Sequence, residues 1–452
     1  MNNQKRVASV GLALLFAITA PLFAQTSPAD QPSISLEELE QMALQHNPTL
    51  AQAAANVRAA EGRKRQAGLY PNPTVGYVGE EIRGGSFRGG EQGFFVQQNI
   101  VTGGKLGLNR NIVEQEKQQA EVEADEQKIR VLTNVRLSYT QALAAQQMSE
   151  LREQQRKLAH DSVETAHQLV NVGQADAPDA LEAEIEEQKA ELAVAQSEQH
   201  RRHIWKELTT VVGDPSLRMM RLNGNFEDTP AANADELVEK LVSESPAVKI
   251  AQLGVSKAEA TLARAKREPL PDLQVRAGMQ QNREIMDSNG QPVGLQGFAE
   301  VGVQIPLFNR NQGEVAASQA DVQRAQRELE RVKLSLRERA ASVVQNYEYS
   351  QTAVTKYKNE MIPRAQKAYD MYSKKYQEMA VAYPQVLIAQ RTLMDLQVSY
   401  LNALESYATN SIALQSYLLT DGLEAPSQPD DIDRPIREMN VPFQGAMPGK
   451  ER

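Results

Sequence analysis

The stretch that decides the fold runs from Ala299 to Gln319 and reads AEVGVQIPLFNRNQGEVAASQ. Apolar residues occupy the odd-numbered positions from 299 to 305, and polar or small residues lie between them. Alternation with a period of two predicts a β-strand with one apolar face. Pro306 removes a backbone donor and ends the strand, and from Gly313 onward the composition favours helix. The stretch therefore predicts a strand that leads directly into a long helix.

The composition limits the kinds of protein that this chain can be. Only 5% of its 452 residues are aromatic and 24% are charged, which favours elongated helical packing over several compact cores. The net charge of -9 argues against a nucleic-acid partner. The chain has no cysteine, which excludes disulfides, thiolate metal sites and a lipid anchor on an N-terminal cysteine. After the N-terminal segment, no stretch approaches the roughly 20 apolar residues of a membrane helix, so any span must use strands.

The two ends of the chain are predicted to lie outside the folded body. Residues 1–24 carry Lys5 and Arg6 before an apolar run that ends at Ala24, which is typical of a cleaved secretory signal peptide. We therefore expect the mature chain to be exported. The C-terminal tail, residues 421–452, contains five prolines and is predicted to be irregular.

An internal duplication organises the rest of the sequence. Matching residues are separated by 198 positions before the second hairpin, as in Pro71 and Pro269, and by 206 positions after it, as in Gln98 and Gln304. A separation that stays fixed over about 180 residues indicates two copies of one structural unit. We predict a first repeat at 25–212 with a β-hairpin at 73–101, a linker at 213–234, and a second repeat at 235–420 with a hairpin at 272–305.

Each repeat is predicted to contain short helices and one very long helix. The segment from Ser35 to His46 begins with a capping box, in which Glu38 stands three residues after a serine. The segment from Lys105 to Val172 contains no proline, and a helix of this length reaches on the order of 100 Å. Pro363 is expected to kink or split the second long helix near Met361. The predicted coiled-coil seams contain Leu132, Val135, Tyr139 and Ala142 in the first long helix and Val343, Tyr347, Val354, Tyr357 and Met361 in the second.

The two hairpins supply four strands of about nine to eleven residues, a length that spans a bilayer when the strands tilt. Four strands cannot close a barrel, since the smallest transmembrane barrels have about eight. Two chains would supply eight strands and three would supply twelve, and only the larger ring leaves a lumen wide enough for solutes. The pattern predicts lipid contact for Leu273, Val275, Val301 and Val303, and a barrel lumen lined by Gln274, Arg276, Glu300 and Gln304.

Three motifs carry a family resemblance. They are Pro71-Asn72-Pro73, the run IPLFNRNQG at 305–313 and the run VLIAQRTL at 386–393. In this order and spacing, and with the duplicated architecture around them, they resemble the TolC family of outer membrane efflux channels over nearly the whole mature chain. The junction in the second repeat is most similar to the heavy-metal efflux, CzcC-like branch of that family.

The resemblance implies a mixed α/β membrane protein. It would be a homotrimer with a twelve-stranded barrel in the outer membrane and a helical coiled-coil tunnel in the periplasm. The implied partners are a periplasmic adaptor, also called a membrane fusion protein, and an inner-membrane pump of the RND or ABC type that supplies the energy. The sequence contains no nucleophile elbow, phosphate loop or metalloprotease signature, so we expect neither an enzyme nor a cofactor.

In the resembled family, two helix tips close the periplasmic entrance and meet the adaptor. Asp176 and Asp179 lie at the first tip, and three copies would place six carboxylates around the axis, a ring that favours cations. Alternatively, Asp176 caps a helix and Asp179 interacts with the helix dipole. At the second tip, Gln385 and Ile388 stand where members with an acidic gate place aspartates. The predicted gate residues are Asp176, Asp179, Tyr383 and Gln385, and the predicted adaptor contacts are Val172, Gly173, Met379 and Ala380.

Two histidine pairs are candidate metal ligands. His160 could pair with His167, and His200 with His203, the second pair at helical spacing. No cysteine or acidic partner stands at matching spacing, so solvated helix surface is the preferred interpretation and we predict no metal site.

Two classes of function stay open on these patterns. The first is a passive export duct for small solutes, either metal cations or drugs, that an adaptor opens; a type I protein secretion duct is an alternative within this class. The second is a periplasmic coiled-coil adaptor or interaction protein whose alternating segments form a soluble sheet. Strands of bilayer length with one apolar face favour the duct.

Overall fold

A computed structural model describes residues 33–82, 90–224, 233–285 and 290–425 of the chain. The predicted signal peptide at 1–24 lies outside the described residues, as does the predicted tail beyond residue 425.

Within these ranges the chain forms six strands, nine α-helices and one π-helical turn. The strands are β1 (Ser33–Ile34), β2 (Thr74–Glu80), β3 (Glu91–Ile100), β4 (Arg221–Leu222), β5 (Leu273–Ile285) and β6 (Pro292–Val303). The α-helices are α1 (Leu36–His46), α2 (Pro48–Ala67), α3 (Lys105–Asn171), α4 (Ala177–Val212), α5 (Ala234–Glu244), α6 (Pro246–Arg267), α7 (Gln312–Lys356), α8 (Ile362–Gln377) and α9 (Tyr383–Gln415).

Polar caps fix where the first two helices begin. The backbone amide of Ser35 donates to Glu38 Oε2 at 2.8 Å, and the backbone amide of Glu38 donates to Ser35 Oγ at 3.3 Å. The predicted capping box is therefore confirmed. Asn47 ends α1 and caps α2, because its Oδ1 accepts from the amide of Thr49 at 3.0 Å. Pro48 occupies the first position of α2, where its missing amide proton costs nothing.

The helical body is built around α3, which packs against α1, α2, α4, α6 and α9. α2 and α4 lie end to end beside it, and Nδ2 of Asn47 donates to the carbonyl of Val211 near the end of α4 at 3.5 Å. In the other half, α6 packs against α7, and α9 packs against α7 and α8. Two shorter helices thus match the length of one long helix. Over the described ranges, no helix is both long enough and apolar enough to cross a membrane.

The largest apolar cluster lies where α1, α3, α4 and α9 meet the small parallel sheet of β1 and β4. Val131 and Val135 are fully buried there, together with Leu208 of α4. Leu132, which was predicted for this seam, is only partly buried, because the helical repeat that includes Val135 and Tyr139 turns Val131 inward instead. The sequence pattern does not predict β1 and β4, since two-residue strands carry no periodicity.

Pro363 divides the second long helix as predicted. α7 ends at Lys356, a π-helical turn spans Tyr357–Met361, and α8 follows with Pro363 in its first turn. The π-helical turn adds one residue to the helical repeat, which changes the face on which Met361 lies. Met361 is exposed, so its predicted place on the seam with the fully buried Tyr347 is wrong.

One antiparallel sheet contains β2, β3, β5 and β6 in that spatial order. Ile100 pairs with Leu273, which also pairs with Val303, so the strand ends that join helices all lie at one end of the sheet. Among the described residues, β2 and β6 each have one neighbouring strand and form the two edges of the sheet.

Of the four strands of this sheet, only β3 has the predicted length of nine to eleven residues; β2 is shorter, and β5 and β6 are longer. Their lengths are 7, 10, 13 and 12 residues in chain order. β6 ends at Val303 because its partner β5 begins at Leu273, and the ladder has no partner residue beyond this pair. Gln304 and Ile305, which were predicted within the strand, therefore lie in the connection to α7.

Candidate functional site

The even-numbered residues of β5 and β6 share one face of the four-stranded sheet, here called the polar face. Arg276 pairs directly with Glu300, and their side chains form an ion pair at 3.5 Å. Gln274 pairs with Gly302 on the same face. The structure thus brings together three of the four residues predicted for the lumen, and the fourth, Gln304, lies past the end of β6.

Two phenylalanines that the sequence pattern did not single out flank Arg276 on the polar face. The guanidinium carbon of Arg276 lies 4.1 Å from the centroid of the Phe95 ring and 5.5 Å from that of Phe298, both within cation–π range. Each ring covers a glycine: a Cβ added at Gly76 would lie 2.5 Å from Phe95, and one at Gly278 would lie 2.6 Å from Phe298. The contact between Phe95 and Arg276 depends on the pairing of β3 with β5, which belong to different hairpins, so the sequence alone does not reveal it.

Nearer the hairpin tips, the polar face carries a hydrogen-bonded network around Glu91. Nδ2 of Asn282 donates to Glu91 Oε1 at 2.7 Å and to Gln296 Oε1 at 3.3 Å, and Nε2 of Gln280 donates to Glu91 Oε2. Amides and a carboxylate from β3, β5 and β6 therefore satisfy one another across the sheet. Such a surface suits contact with water rather than with hydrocarbon.

The opposite face of the sheet, here called the apolar face, exposes large hydrophobic side chains. A contiguous apolar surface of this kind on a folded chain marks contact with lipid or with another protein. It contains the predicted lipid contacts Leu273, Val275, Val301 and Val303, of which Val301 and Val303 are exposed. Its other exposed hydrophobic side chains are Val75, Tyr77, Phe94, Val96, Ile100, Met279 and Leu295.

The first tip, residues 172–176, joins α3 to α4. Val172 is exposed, and Gly173 adopts a left-handed conformation with φ of +75°, which glycine tolerates without strain. Asp176 occupies the position before α4, but its side chain makes no capping hydrogen bond, so side-chain capping does not explain this residue. Asp179 lies in the first turn of α4, where burial and the nearby charge of Asp176 raise the pKa of its carboxyl.

The second tip, residues 378–382, joins α8 to α9. Met379 adopts a left-handed conformation with φ of +58° and is exposed, as are Ala380 and Gln385. Tyr383 behaves differently from the other residues predicted for the gate, because only 2% of it is exposed. Its ring centroid lies 5.6 Å from that of Tyr376, and burial raises the pKa of Tyr383 to about 12. In the protomer, Tyr383 therefore packs the tip instead of lining its surface.

Ion pairs that the sequence did not predict join the helices above the tips. Arg391 of α9 forms an ion pair with Glu186 of α4, which also accepts from Lys189 at 2.7 Å. Across α3 and α4, His160 Nδ1 lies 2.6 Å from Glu187 Oε1, and His167 Nε2 lies 3.0 Å from Glu184 Oε1. Apart from the pair of Glu186 with Lys189 within α4, these pairs link different helices, so no spacing along one helix reveals them.

The described ranges contain no group of three or more histidine, cysteine, aspartate or glutamate residues placed to hold a metal ion. His203 lies 3.2 Å from Glu207, four residues later on the same helix, so the expectation that no acidic residue stands at matching spacing is wrong. His160 and His167 pair with glutamates across α3 and α4. His160, His167 and His203 thus pair with glutamates on the helix surface.

A two-faced sheet whose strands continue into long helical hairpins with exposed tips defines the class of the TolC-like channels. The outer membrane efflux protein family model matches residues 39–214 and again residues 237–418. The chain therefore belongs to the outer membrane efflux protein family and is an outer-membrane efflux channel. Channels of this kind work with periplasmic adaptors and inner-membrane pumps.

Individual relatives agree with this assignment. The chain is 25% identical over 371 residues to the cobalt-zinc-cadmium resistance protein CzcC of Cupriavidus metallidurans, which covers 82% of this chain and 86% of the relative. It is also 25% identical over 357 residues to the nickel-cobalt-cadmium resistance protein NccC of Alcaligenes xylosoxydans xylosoxydans, covering 76% and 75% of the two chains. The fold is similar to that of CusC, with a TM-score of 0.69 and 17% identity over 85% of this chain and 91% of that chain.

Proposed function

We propose that three copies of this chain form a continuous duct, with a twelve-stranded barrel in the outer membrane and a helical tunnel in the periplasm. The observation that carries the proposal is the four-stranded sheet itself. One face is apolar and exposed, the other is polar, and within the described residues both edges lack a neighbour. Open strand edges invite pairing, and a ring of twelve strands leaves room for solutes where a ring of eight does not.

We also propose the domain division behind this architecture. A signal peptide at 1–24 would precede a first repeat at 25–212, a linker at 213–234, a second repeat at 235–420 and the tail at 421–452. Two observations support an internal duplication: the family model matches the chain twice, and each half contains a hairpin followed by a long helix. The threefold assembly would then have pseudo-sixfold character.

The proposed cargo is a divalent metal cation. The relatives CzcC and NccC are resistance proteins for cobalt, zinc, cadmium and nickel, and each covers at least three quarters of this chain. The first tip supports cation passage, because Asp176 is exposed and its side chain makes no capping hydrogen bond, and Asp179 lies one turn away. Three copies would place six carboxylates at the entrance, which attracts cations and repels anions.

We propose that the duct opens at its tips when an adaptor binds. Val172, Gly173, Met379 and Ala380 are all exposed at the two tips and would form the adaptor contact. In the closed state, the ion pair between Arg391 and Glu186 would hold α9 against α4. The pump would supply the energy, and the chain itself would perform no chemistry.

The family assignment favours this duct over the periplasmic adaptor that was weighed as an alternative. The relatives' names favour a metal cargo over a drug or a protein.

Deletion of the gene from its own organism tests the cargo. We expect growth to become sensitive to cobalt, zinc, cadmium or nickel salts, and a plasmid copy to restore tolerance. Tolerance to uncharged antibiotics, measured in parallel, should not change. Sensitivity to antibiotics with unchanged metal tolerance would replace the metal proposal with drug export.

A further inference from the structure

The connection between β6 and α7 exposes large apolar side chains. Phe308 is 92% exposed, and Ile305 and Leu307 are also well exposed. These three residues are here called the apolar knob. Surfaces that face water seldom carry such a cluster, because removing apolar surface from water lowers the free energy by about 25 cal/mol per Å².

Hydrogen bonds hold the connection that carries the apolar knob in a defined shape. The amide of Leu307 donates to the carbonyl of Ile305 at 3.0 Å, and Nε2 of Gln312 donates to the carbonyl of Phe308 at 3.4 Å. Asn311 anchors the loop to α6, since its Nδ2 donates to the carbonyl of Ala265 at 2.9 Å. The apolar side chains are therefore presented outward by a fixed backbone.

A second exposed apolar pair lies at the other edge of the sheet. Leu69 and Tyr70, between α2 and β2, are 58% and 63% exposed. β2 begins at Thr74 and β6 ends at Val303, both at the helical end of the sheet. The apolar knob and this pair thus lie at the same level on opposite edges.

We infer that the apolar knob of one copy packs against Leu69 and Tyr70 of the next copy, which makes the joint between strands and helices an intersubunit contact. This inference rests on the proposed threefold assembly. In a closed ring, β6 of one copy pairs antiparallel with β2 of its neighbour, which brings the connection after β6 beside the residues before β2. Phe308 would be the anchor, because it is the most exposed side chain of the apolar knob and aromatic residues are enriched in the cores of protein interfaces.

The absence of cysteine from the chain allows a direct test by disulfide crosslinking. We would introduce Phe308→Cys and Tyr70→Cys together, oxidise isolated outer membranes with copper phenanthroline, and separate the proteins on a non-reducing gel. We expect a covalent trimer that a reducing agent converts to monomer. Each single variant should remain monomeric, as should the control pair Phe308→Cys and Leu44→Cys, since Leu44 is exposed on α1 away from the joint.

A second measurement keeps the result interpretable. The mass of the purified cysteine-free chain reports whether trimers form at all. Trimers without the crosslink between positions 308 and 70 would overturn the inference and leave the proposed duct intact, whereas monomers would overturn the duct itself.

Lipid is the alternative contact partner of the apolar knob, because aromatic side chains also favour membrane interfaces. A fluorophore on the Phe308→Cys variant that lipid-borne nitroxides quench would overturn the inference, and a fluorophore shielded from them would support it. We further expect Phe308→Ala to lower the temperature at which the trimer dissociates in detergent, and Phe308→Leu to lower it less.

Discussion

The guanidinium carbon of Arg276 lies 4.1 Å from the centre of the Phe95 ring, although these residues come from different hairpins and are 181 positions apart in the sequence. Phe95 lies on β3 and Arg276 on the adjacent β5, so the aromatic ring and the charge meet on the polar face. Glu300 on β6 completes the cluster with an ion pair at 3.5 Å. In a closed barrel of three copies, the same arrangement would recur three times around the lumen.

This geometry predicts that Arg276 and Glu300 influence charge selectivity in opposite directions. Arg276→Gln removes a positive charge from each copy, so the reversal potential under a KCl gradient in a planar bilayer should move towards cation selectivity. Glu300→Gln should move it towards anion selectivity. Phe95→Leu keeps the charge but removes a cation–π contact of about 0.5–1 kcal/mol, and its effect should be smaller. Identical reversal potentials for both charge variants would contradict the placement of this face in the lumen.

The carboxylates of the first tip are expected to restrict the entrance. Asp176→Ala together with Asp179→Ala should raise single-channel conductance or reduce cation preference, because like charges that crowd the axis are removed. The double variant Glu338→Ala and Glu348→Ala removes the same charge from exposed positions on α7 and serves as the control. Unchanged currents and selectivity in the tip variant would eliminate the acidic ring.

The ion pair between Arg391 and Glu186 is expected to hold the tips closed. Burial acts to raise the pKa of Glu186, but hydrogen bonds from Arg391 and Lys189 outweigh it and leave the pKa below its ordinary value. A carboxyl with a lowered pKa stabilises the folded arrangement at neutral pH, and this stabilisation is lost as the pH falls through its folded-state pKa. Opening should therefore become easier in acid.

Substitution tests the same pair at constant pH. Arg391→Ala should cost roughly 1 kcal/mol, the scale of a partly exposed ion pair, and raise the open fraction about fivefold. The exchanged pair Arg391→Glu with Glu186→Arg should restore the closed state. If the exchanged pair opens as readily as Arg391→Ala, attraction between the two charges does not control the gate.

Glu123 on α3 is expected to make stability depend on pH. It is only 5% exposed, its Oε2 has no hydrogen-bond partner in the described part of the chain, and burial raises the pKa of its carboxyl to about 7. Because the folded state favours the protonated form, stability is greatest below the unfolded pKa. It declines as the pH rises from the unfolded pKa towards 7, by on the order of 3 kcal/mol in total.

Glu123→Gln removes this penalty, since glutamine keeps the shape of a protonated glutamate without its titration. We expect the midpoint of thermal unfolding to exceed that of the natural chain at pH 8 and to equal it at pH 4. Glu164→Gln, at an exposed position further along α3, is the control and should not show the same gain at pH 8. An equal gain at both pH values would contradict the assignment to proton binding.

Much of the fold could be predicted because proline, glycine and hydrophobic period act locally. The first long helix was predicted from Lys105 to Val172 and spans Lys105–Asn171, and the break before Pro363 falls where proline requires it. The alternation of Gln274 and Arg276 with apolar neighbours gave the two faces of β5 correctly.

The features that could not be predicted depend on pairing between distant segments. No local pattern joins Phe95 to Arg276 or Glu186 to Arg391, because the register of the sheet and the rotation of packed helices decide those contacts. The buried position of Tyr383 has the same cause, since Tyr376 on the preceding helix covers it. The π-helical turn likewise changes which residues face the seam, and a count of heptads along the sequence does not predict where such a turn occurs.

The most direct test of the central claim is to express the chain with its N-terminal segment, purify it from the cell envelope, and measure both its mass and its current in a planar bilayer. The proposal predicts an outer-membrane species of three copies that conducts in uniform steps. A soluble monomer in the periplasmic fraction, without conductance, would contradict the claim that these strands form a membrane duct.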